Sequence, residues 1–333
     1  MMRIAINGFG RIGRSVFRIL NARKDMEIVA INDIAKNDIL AYLLKYDTVM
    51  KRFNDTVTTD GDMMMTTHQK VKMLAVYDPA ELPWKELDVD VVVEATGIFR
   101  TREKLTPHLD AGAKRIILTV PAKGEIDYTL VIGVNDDGLK PEHRIVSNAS
   151  CTTNCLAPMV KVLNDAFGIE YGVINTVHAY TNDQRLADVP HTDWRRSRAA
   201  AENVIPTTTG AARAVGKVLP ALAGKLDGIA MRVPVADGSV VDAIMILNMD
   251  VTIDQINEVV LEASTSKGMK GVLEYSTLPV VSSDIIGNPH SSIYDAPYTK
   301  VVGGNMVKTV NWYDNEWGYS NRIVDLIDIF KNM

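Results

Sequence analysis

The chain has 333 residues, 47% of them hydrophobic and 23% charged, with a net charge of −5. This length exceeds what one compact core usually holds, so two domains are expected, and the acidic balance argues against a general polyanion binder. Two cysteines in the whole chain exclude a disulfide framework and fit a reducing compartment, most simply the cytoplasm.

No window approaches the roughly 20 apolar residues of a membrane span, and the start, MMRIAINGFGRIG, lacks the apolar region of a signal peptide. In chain order, RIAIN (3–7) predicts a strand, followed by a glycine turn and by RIGRSVFRILNAR, whose apolar residues recur at helical spacing. EIVAIND (27–33), DVVVEATG (90–97), RIILTV (115–120), YTLVIGV (128–134) and RIVSNAS (144–150) read as further strands. They lack polar alternation, the mark of strands buried on both faces, and helix-compatible segments lie between them. The pattern predicts a Rossmann-type α/β domain, a parallel sheet covered on both sides. The run MMM (63–65) reads as an exposed edge or turn of a β-hairpin insertion.

The second half differs. VINTVHAY (173–180), GIAMRVPV (228–235), VVDAIMILNM (240–249) and MVKTVNWYD (306–314) are longer strands with helices between them. They suit an α+β domain with a mostly antiparallel sheet. TIDQINEVVLEAS (252–264) opens with Thr252 and Gln255 at capping-box spacing. The amphipathic tail WGYSNRIVDLIDIFKNM predicts a C-terminal helix that docks back on the first domain. The expected organisation is a dinucleotide-binding domain over 1–150, joined by the C-terminal helix at about 316–333, and a catalytic domain over 151–315.

GFGRIG (8–13) is Gly-x-Gly-x-x-Gly, with a strand before it, a helix after it and Asp33 at the end of the next strand. Gly8 permits the tight turn, Gly10 lets backbone approach a pyrophosphate, and Gly13 lets the helix pack close to the strand. The helix N-terminus then faces the phosphates. Asp33 accepts hydrogen bonds from a ribose 2′-hydroxyl and repels a 2′-phosphate, which favours NAD over NADP as cofactor.

Both cysteines, Cys151 and Cys155, lie in SNASCTTNCLAP (147–158). No further ligand sits at metal spacing, so no metal is expected, and a disulfide between positions i and i+4 of one helix has poor geometry. Cys151 falls at the start of a helix-compatible run, where the helix dipole and free N–H groups favour a thiolate. Cys155, one turn inside, reads as a small core filler. A nucleophilic thiol needs a base, and of the six histidines His178, at the C-terminal end of a strand in the other half, is best placed by position. A thiol and a histidine beside an NAD site suit one chemistry: attack on an aldehyde, departure of hydride from the hemithioacetal, and a thioester left behind.

SNASCTTNCLAP, HAYTNDQ, RRSRAAAENVIPTTTGAARAVGKVLP, GIAMRVPVADGSVVD and NWYDNEWGYSNR closely resemble phosphorylating glyceraldehyde-3-phosphate dehydrogenase, and the resemblance spans both halves of the chain. It implies Cys151 as nucleophile and His178 as general base. It further implies that the Cys151 N–H and the His178 ring hold the hemithioacetal oxygen, and that inorganic phosphate attacks the thioester. Thr181 and Arg232 resemble the site for the substrate phosphate. Ser150, Thr152, Thr209 and Gly210 resemble the site for the attacking phosphate, with Arg196 between the two sets. For NAD, the resemblance implies backbone contacts from Arg11 and Ile12 and a ribose contact from Asp33. Thr96, Gly97 and Phe99 would line the path, Thr119 would lie near the nicotinamide, and Asn315 would contact its amide. Tyr319 resembles an aromatic that packs by the ring, and Glu316 reads as structural. A homotetramer, and service in glycolysis or gluconeogenesis, are likewise implied. No basic-aromatic stripe points to a nucleic-acid partner.

The chain departs from the family pattern in places. Tyr77 stands in YDP where Arg is frequent, and affects adenine binding if that contact uses the side chain. Val120 replaces a smaller Ala beside Thr119, and Ala236, Asp237 and Gly238 stand where Pro-Asn-Val is common. Val189 and Pro190 keep an apolar-Pro pair found in NAD-preferring members, whose neighbouring subunit's loop crowds a 2′-phosphate. Two rival readings remain at this level. One is erythrose-4-phosphate dehydrogenase, which shares the thiol and the nucleotide site. The other is a non-catalytic NAD-binding or redox-sensing module.

Overall fold

The apolar runs of the first half become a nine-stranded sheet. Its strands are β1 (Met2–Asn7), β2 (Met26–Asn32), β3 (Thr58–Asp60), β4 (Met63–Met65), β5 (Lys70–Leu74), β6 (Val91–Glu94), β7 (Arg115–Leu118), β8 (Tyr128–Thr129) and β9 (Ile145–Ser147), in the order β3-β4-β5-β2-β1-β6-β7-β9-β8. Every pair from β5 through β8 is parallel, and only β3-β4 and β4-β5 are antiparallel. Helices α1 (Arg11–Leu20), α2 (Asn37–Lys45) and α3 (Arg102–Asp110) fall between strands. The computed structural model describes residues 1–333. It divides into one compact unit of Met1–Leu130, Asp137–Ala149 and Ser320–Met333, and a second of Val131–Asp136 and Ser150–Tyr319.

Two glycines set the geometry of the first turn. Gly8 has φ +92°, and a Cβ there would lie 2.6 Å from the Thr96 nitrogen. A Cβ on Gly13 would lie 2.2 Å from the Gly8 carbonyl oxygen, so α1 packs against β1 only without a side chain at that point. Gly13, Val16, Phe17 and Leu20 form the buried stripe of α1, at the spacing of one helix face.

Two expectations are corrected here. Met63–Met65 is not an edge: it is the middle strand of the β3-β4-β5 meander, and Met64 is fully buried. The run 128–134 is not one strand. Only Tyr128–Thr129 pairs, because the Asn135 and Asp136 carboxamide and carboxylate oxygens accept the N–H groups of Val131 and Gly133, whose φ is +81°. Apolar composition reported burial there, and side-chain-to-backbone bonds diverted the chain into turns.

The second unit holds an eight-stranded sheet built from β10 (Ile169–Ala179), β11 (Ile205–Thr208), β12 (Leu226–Val233), β13 (Ser239–Leu247), β14 (Leu273–Ser276), β15 (Ser292–Asp295), β16 (Lys300–Val302) and β17 (Met306–Tyr313). Its order is β11-β12-β10-β13-β17-β15-β14, with β16 on β17, and only β10-β12 and β14-β15 are parallel. Helix α4 (Cys151–Phe167) packs on this sheet beside α5 (Ala211–Val218) and α6 (Ile253–Thr265). Thr252 and Gln255 form the reciprocal capping box of α6. A short α7 (Ser282–Ile285) and the C-terminal α8 (Trp317–Lys331) complete the chain, and Ser320–Met333 belongs to the first unit. No helix is long and apolar enough to cross a membrane.

The contacts of Gly13 and Gly10 lead to contrasting expectations. Gly13→Ala drives a methyl into backbone and should destabilise the fold by about 1–3 kcal/mol. Nothing lies within 4 Å of a Cβ on Gly10, so Gly10→Ala should stay within about 0.5 kcal/mol of the parent. Urea unfolding of the two variants checks this, and equal midpoints would contradict it.

Candidate active site

Ser150 has extended backbone (φ −112°, ψ 162°), and its hydroxyl accepts the Thr153 N–H at 3.1 Å. This cap begins α4 at Cys151, so the half-buried thiol stands on the first turn beside the helix N-terminus. Cys151 Sγ lies 3.6 Å from His178 Nε2. Cys155 is buried one turn on, against Ser292 and the Asn311 carbonyl, as a core filler should be.

His178 is the penultimate residue of β10, and the parallel register of β10 with β12 pairs it directly with Arg232. Arg232 Nη1 lies 2.7 Å from His178 Nδ1 and donates to the Ala179 carbonyl at 2.9 Å. His178 Nδ1 is also 2.7 Å from that carbonyl. The Ala179 carbonyl, which only accepts, calls for hydrogen on Nδ1, whereas the Arg232 guanidinium, which only donates, calls for a lone pair there, so the two contacts ask for opposite tautomers. With the hydrogen on Nδ1, Nε2 keeps its lone pair facing the thiol. The Tyr313 ring meets the imidazole edge-on with centroids 5.8 Å apart.

Burial and the Arg232 charge together press the His178 pKa down to about 3. Burial also pushes the Cys151 thiol up, against the pull of Arg232 and of hydrogen bonds from Thr152. The helix start that the sequence offers as a thiolate stabiliser is therefore outweighed by desolvation. The resting pair is a thiol and a neutral imidazole, the arrangement of a nucleophile awaiting its base.

Of the remaining second-unit candidates, Arg196 stands near enough for its charge to act on His178. Thr181 lies two residues past the end of β10, and its N–H is held by Gln184 Oε1 at 3.3 Å. Arg196 donates to Thr207 Oγ1 at 3.0 Å and to the Thr208 carbonyl, and it is ion-paired with Asp183. Thr209 accepts the Ala211 N–H, and exposed Gly210 is the N-cap of α5, with open space where a Cβ would stand. Thr152 turns its hydroxyl to Tyr313 Oη at 2.9 Å, and Tyr313 Oη reaches on to Thr176 at 3.0 Å. Arg232 Nε and Gln184 Nε2 are buried without a hydrogen-bond partner. Asn315 is buried, with Oδ1 accepting from Ser239 Oγ at 2.6 Å. Tyr319 is buried as well.

In the first unit the candidates gather at the C-terminal ends of parallel strands, where connections lead to opposite sides of β1. Gly10 is the N-cap of α1 and supplies no side-chain cap; Arg11, Ile12 and Gly13 form the first turn. The Arg11 side chain is ion-paired with Asp47. Asp33 follows β2 and accepts the Phe9 N–H at 2.8 Å with one oxygen and the Ala35 N–H at 3.0 Å with the other. The Thr96 N–H is held by Glu94 Oε1 at 2.9 Å, and Gly97 has φ +72°. Thr119 donates its hydroxyl to the Glu94 carbonyl. Phe99 packs partly into the core, edge-on to His108, and Tyr77 is 78% exposed.

Sequence reasoning missed the polar core beneath that strand edge. His108 Nδ1 accepts from Trp84 Nε1 at 3.0 Å, so the ring hydrogen sits on Nε2, 3.2 Å from Glu94 Oε2. Asn7 donates to the same oxygen at 2.6 Å, and Asn32 donates to Asn7 at 2.7 Å. The signal available was Glu94 itself, a carboxylate ending the apolar run VVVE. Tyr313 was likewise missed, since nothing local marks it.

No group of three or more His, Cys, Asp or Glu is placed to hold a metal ion. Family models match the chain as the NAD binding domain of glyceraldehyde 3-phosphate dehydrogenase over residues 2–102 and as its C-terminal domain over 150–315. The glyceraldehyde-3-phosphate dehydrogenase of Thermotoga maritima is 54% identical over 335 residues, covering 100% of both chains. That of Mycolicibacterium smegmatis is 52% identical over 98% of this chain and 97% of its own. That of Streptomyces coelicolor is also 52% identical, again over 98% and 97%. A thiol, a base-competent imidazole and a buried arginine thus stand in a chain that shares half its residues with these enzymes from end to end: it belongs to the glyceraldehyde-3-phosphate dehydrogenase family of NAD-dependent oxidoreductases.

Proposed function

We propose that the chain oxidises and phosphorylates glyceraldehyde 3-phosphate to 1,3-bisphosphoglycerate, with Cys151 as nucleophile and His178 as base. The 3.6 Å approach of Sγ to His178 Nε2 carries the reading, with the ring hydrogen on Nδ1 turned to the Ala179 carbonyl. His178 takes the thiol proton as Sγ bonds to the aldehyde carbon, giving a hemithioacetal. The Cys151 N–H at the start of α4 and the protonated ring hold its oxygen. His178 gives that proton to the oxygen, which becomes a hydroxyl, and takes it back as a carbonyl forms. NAD, when bound, supplies the acceptor for the hydride that leaves the same carbon. Phosphate oxygen attacks the resulting thioester, the C–S bond breaks, and the thiolate recovers its proton from His178.

Thr181 and Arg232 take the substrate phosphate, and the unpartnered Arg232 Nε is a donor waiting for such an anion. That anion offsets the charge that holds His178 down, so the base strengthens when substrate arrives. Ser150, the Thr152 N–H, Thr209 and Gly210 take the attacking phosphate at the N-termini of α4 and α5, with Arg196 serving both. The first unit, with α8, is the nucleotide domain. Gly8, Gly10, Arg11, Ile12 and Gly13 fit a pyrophosphate, because the cap position has room for it and no competing side chain. Thr96, Gly97, Phe99 and Thr119 extend that edge, Asn315 takes the nicotinamide amide, and Tyr77 reaches adenine through backbone. Asp33 uses two of its roughly four acceptor positions on backbone and keeps the others for a ribose diol, which favours NAD over NADP. The enzyme works as a cytoplasmic homotetramer. In support of association, Tyr171 and Val173 on β10, Ile244 on β13 and Ile229 on β12 form one exposed apolar sheet face.

With glyceraldehyde 3-phosphate and NAD, NADH formation should require inorganic phosphate. Cys151→Ser should lower it by about 10⁴-fold or more while the Kd for NAD stays near that of the parent. Near-normal turnover in that variant would remove the covalent route. His178→Asn should cost about 10²–10⁴-fold in kcat, with a smaller change in KM, and should slow alkylation of Cys151 at neutral pH. Asp33→Gly should weaken NAD binding by about 10–100-fold, the loss of charge-assisted hydrogen bonds, and narrow the gap to NADP. An unchanged NAD to NADP ratio would assign Asp33 to holding the glycine turn alone.

A further inference from the structure

The segment Ala236–Gly238 links β12 to β13, and its middle residue is a fully buried carboxyl group. Asp237 Oδ1 accepts the Gly238 N–H at 2.8 Å, while Oδ2 is buried and receives no donor. Ser239 pairs with Tyr313 at the end of the antiparallel β13–β17 ladder, which brings the residues just beyond it together, and there a second buried carboxyl, Asp314, acts on Asp237. Three backbone N–H groups converge on Asp314: those of Glu316 and Trp317 at 2.9 and 2.6 Å on Oδ1, and that of Gly287 at 2.8 Å on Oδ2. Two carboxylates cannot hydrogen-bond without a proton between them. With three donors on Asp314 and one on Asp237, the proton resides on Asp237.

We propose that Asp237 is a positioning residue, held as a neutral carboxylic acid that donates its proton to Asp314 and so fixes the turn that presents Asn315. That turn is tied a second time, because Ser239, two residues beyond Asp237, donates to Asn315 Oδ1 at 2.6 Å. Ser239 Oγ in turn accepts the Ala179 N–H at 3.0 Å, next to the catalytic imidazole. The Ser239 hydroxyl therefore links the end of β10 to Asn315. The segment cannot slide, since Gly238 has φ +85° and a Cβ there would lie 2.2 Å from the Ser282 carbonyl oxygen of α7.

The titratable groups that act on Asp237 are Asp314 and Glu316, before α8, and Cys151 on α4. Burial, and then the charges of Asp314 and Glu316, hold the Asp237 carboxyl well above the usual carboxylate range. A charge on Asp237 also pushes the Cys151 thiol up, so the neutral form favours the nucleophile as well as the turn. Deprotonation replaces a hydrogen bond by repulsion between buried carboxylates.

Asp237→Asn carries at every pH the donor that Asp237 carries only with its proton, and comparing the two tests the inference. Asp237 sits outside the groups that contact substrate or cofactor, so turnover at neutral pH should be retained. The infrared spectrum of the parent should show a carboxylic-acid C=O stretch at neutral pH that the variant lacks. The sign of the linkage follows from a folded pKa raised above the unfolded one. The parent's stability is complete below the unfolded pKa of an aspartate and falls as pH rises toward the folded one. The variant should therefore gain on the parent from about pH 5 to pH 8, with the ratio of unfolding constants widening by up to about tenfold per pH unit. Absence of the acid band together with parallel stability profiles overturns the shared proton.

The functional arm rests on Asn315 as the nicotinamide contact proposed above. As pH rises past neutrality, KM for NAD should climb severalfold in the parent and stay flat in Asp237→Asn. The acid band and the widening stability gap with superimposable KM profiles would keep the proton-sharing pair and overturn its role in presenting Asn315.

Discussion

Parallel pairing of β10 with β12 sets His178 beside Arg232, and the Ala179 carbonyl then receives both. This one acceptor bears on two things. It favours the tautomer whose lone pair faces Cys151, against the Arg232 donor at the same nitrogen. It also anchors the guanidinium close enough to keep the ring neutral at rest. Shift the register by one residue and every side chain on β10 changes face, so the thiol on α4 would have no base at all.

The arrangement has a cost that explains the surroundings. A guanidinium buried with Nε unpartnered is unfavourable until an anion arrives. The elements around it are tied together: Tyr313, wholly buried, bridges Thr152 on α4 and Thr176 on β10 through a single hydroxyl. Burial raises the Tyr313 phenol well above its ordinary pKa, so it remains a neutral bridge rather than another titrating group in the site. The buried guanidinium thus stands between elements that are themselves cross-linked.

How much of this could be read in advance depended on the range of the interaction. The glycine turn was legible because its demands are local: a positive φ at Gly8 and a missing Cβ at Gly13 are written in the residues that need them. The start of α4 was legible for the same reason, since Ser150 caps the helix that begins with Cys151. The balance of pKa values was not. It depends on Arg232, 54 residues from His178 in sequence and adjacent only through strand register. The Trp84-His108-Glu94 chain was hidden likewise, with its members scattered over a turn, a helix and a strand end. The run 128–134 misled because apolarity reports burial and not conformation. Its fate was set by Asn135 and Asp136, which follow it.

Buried polar groups in the two units answer to the same rule. Glu94 at the end of β6 receives N–H donors from Asn7 and Thr96 and lies against the His108 ring nitrogen that carries hydrogen, so its oxygens are satisfied by neighbours that also hold the strand edge in shape. Asp237 has one N–H for two oxygens, and the deficit is met by a proton instead of a residue. A carboxyl that must carry its own donor is responsive to pH in a way that a fully solvated or fully bonded one is not. The departure at Ala236–Gly238, opaque in the sequence, is in this sense a choice of how a turn is held. The tie at Asp237 depends on proton activity, whereas the tie one step along the chain, from Ser239 to Asn315, does not.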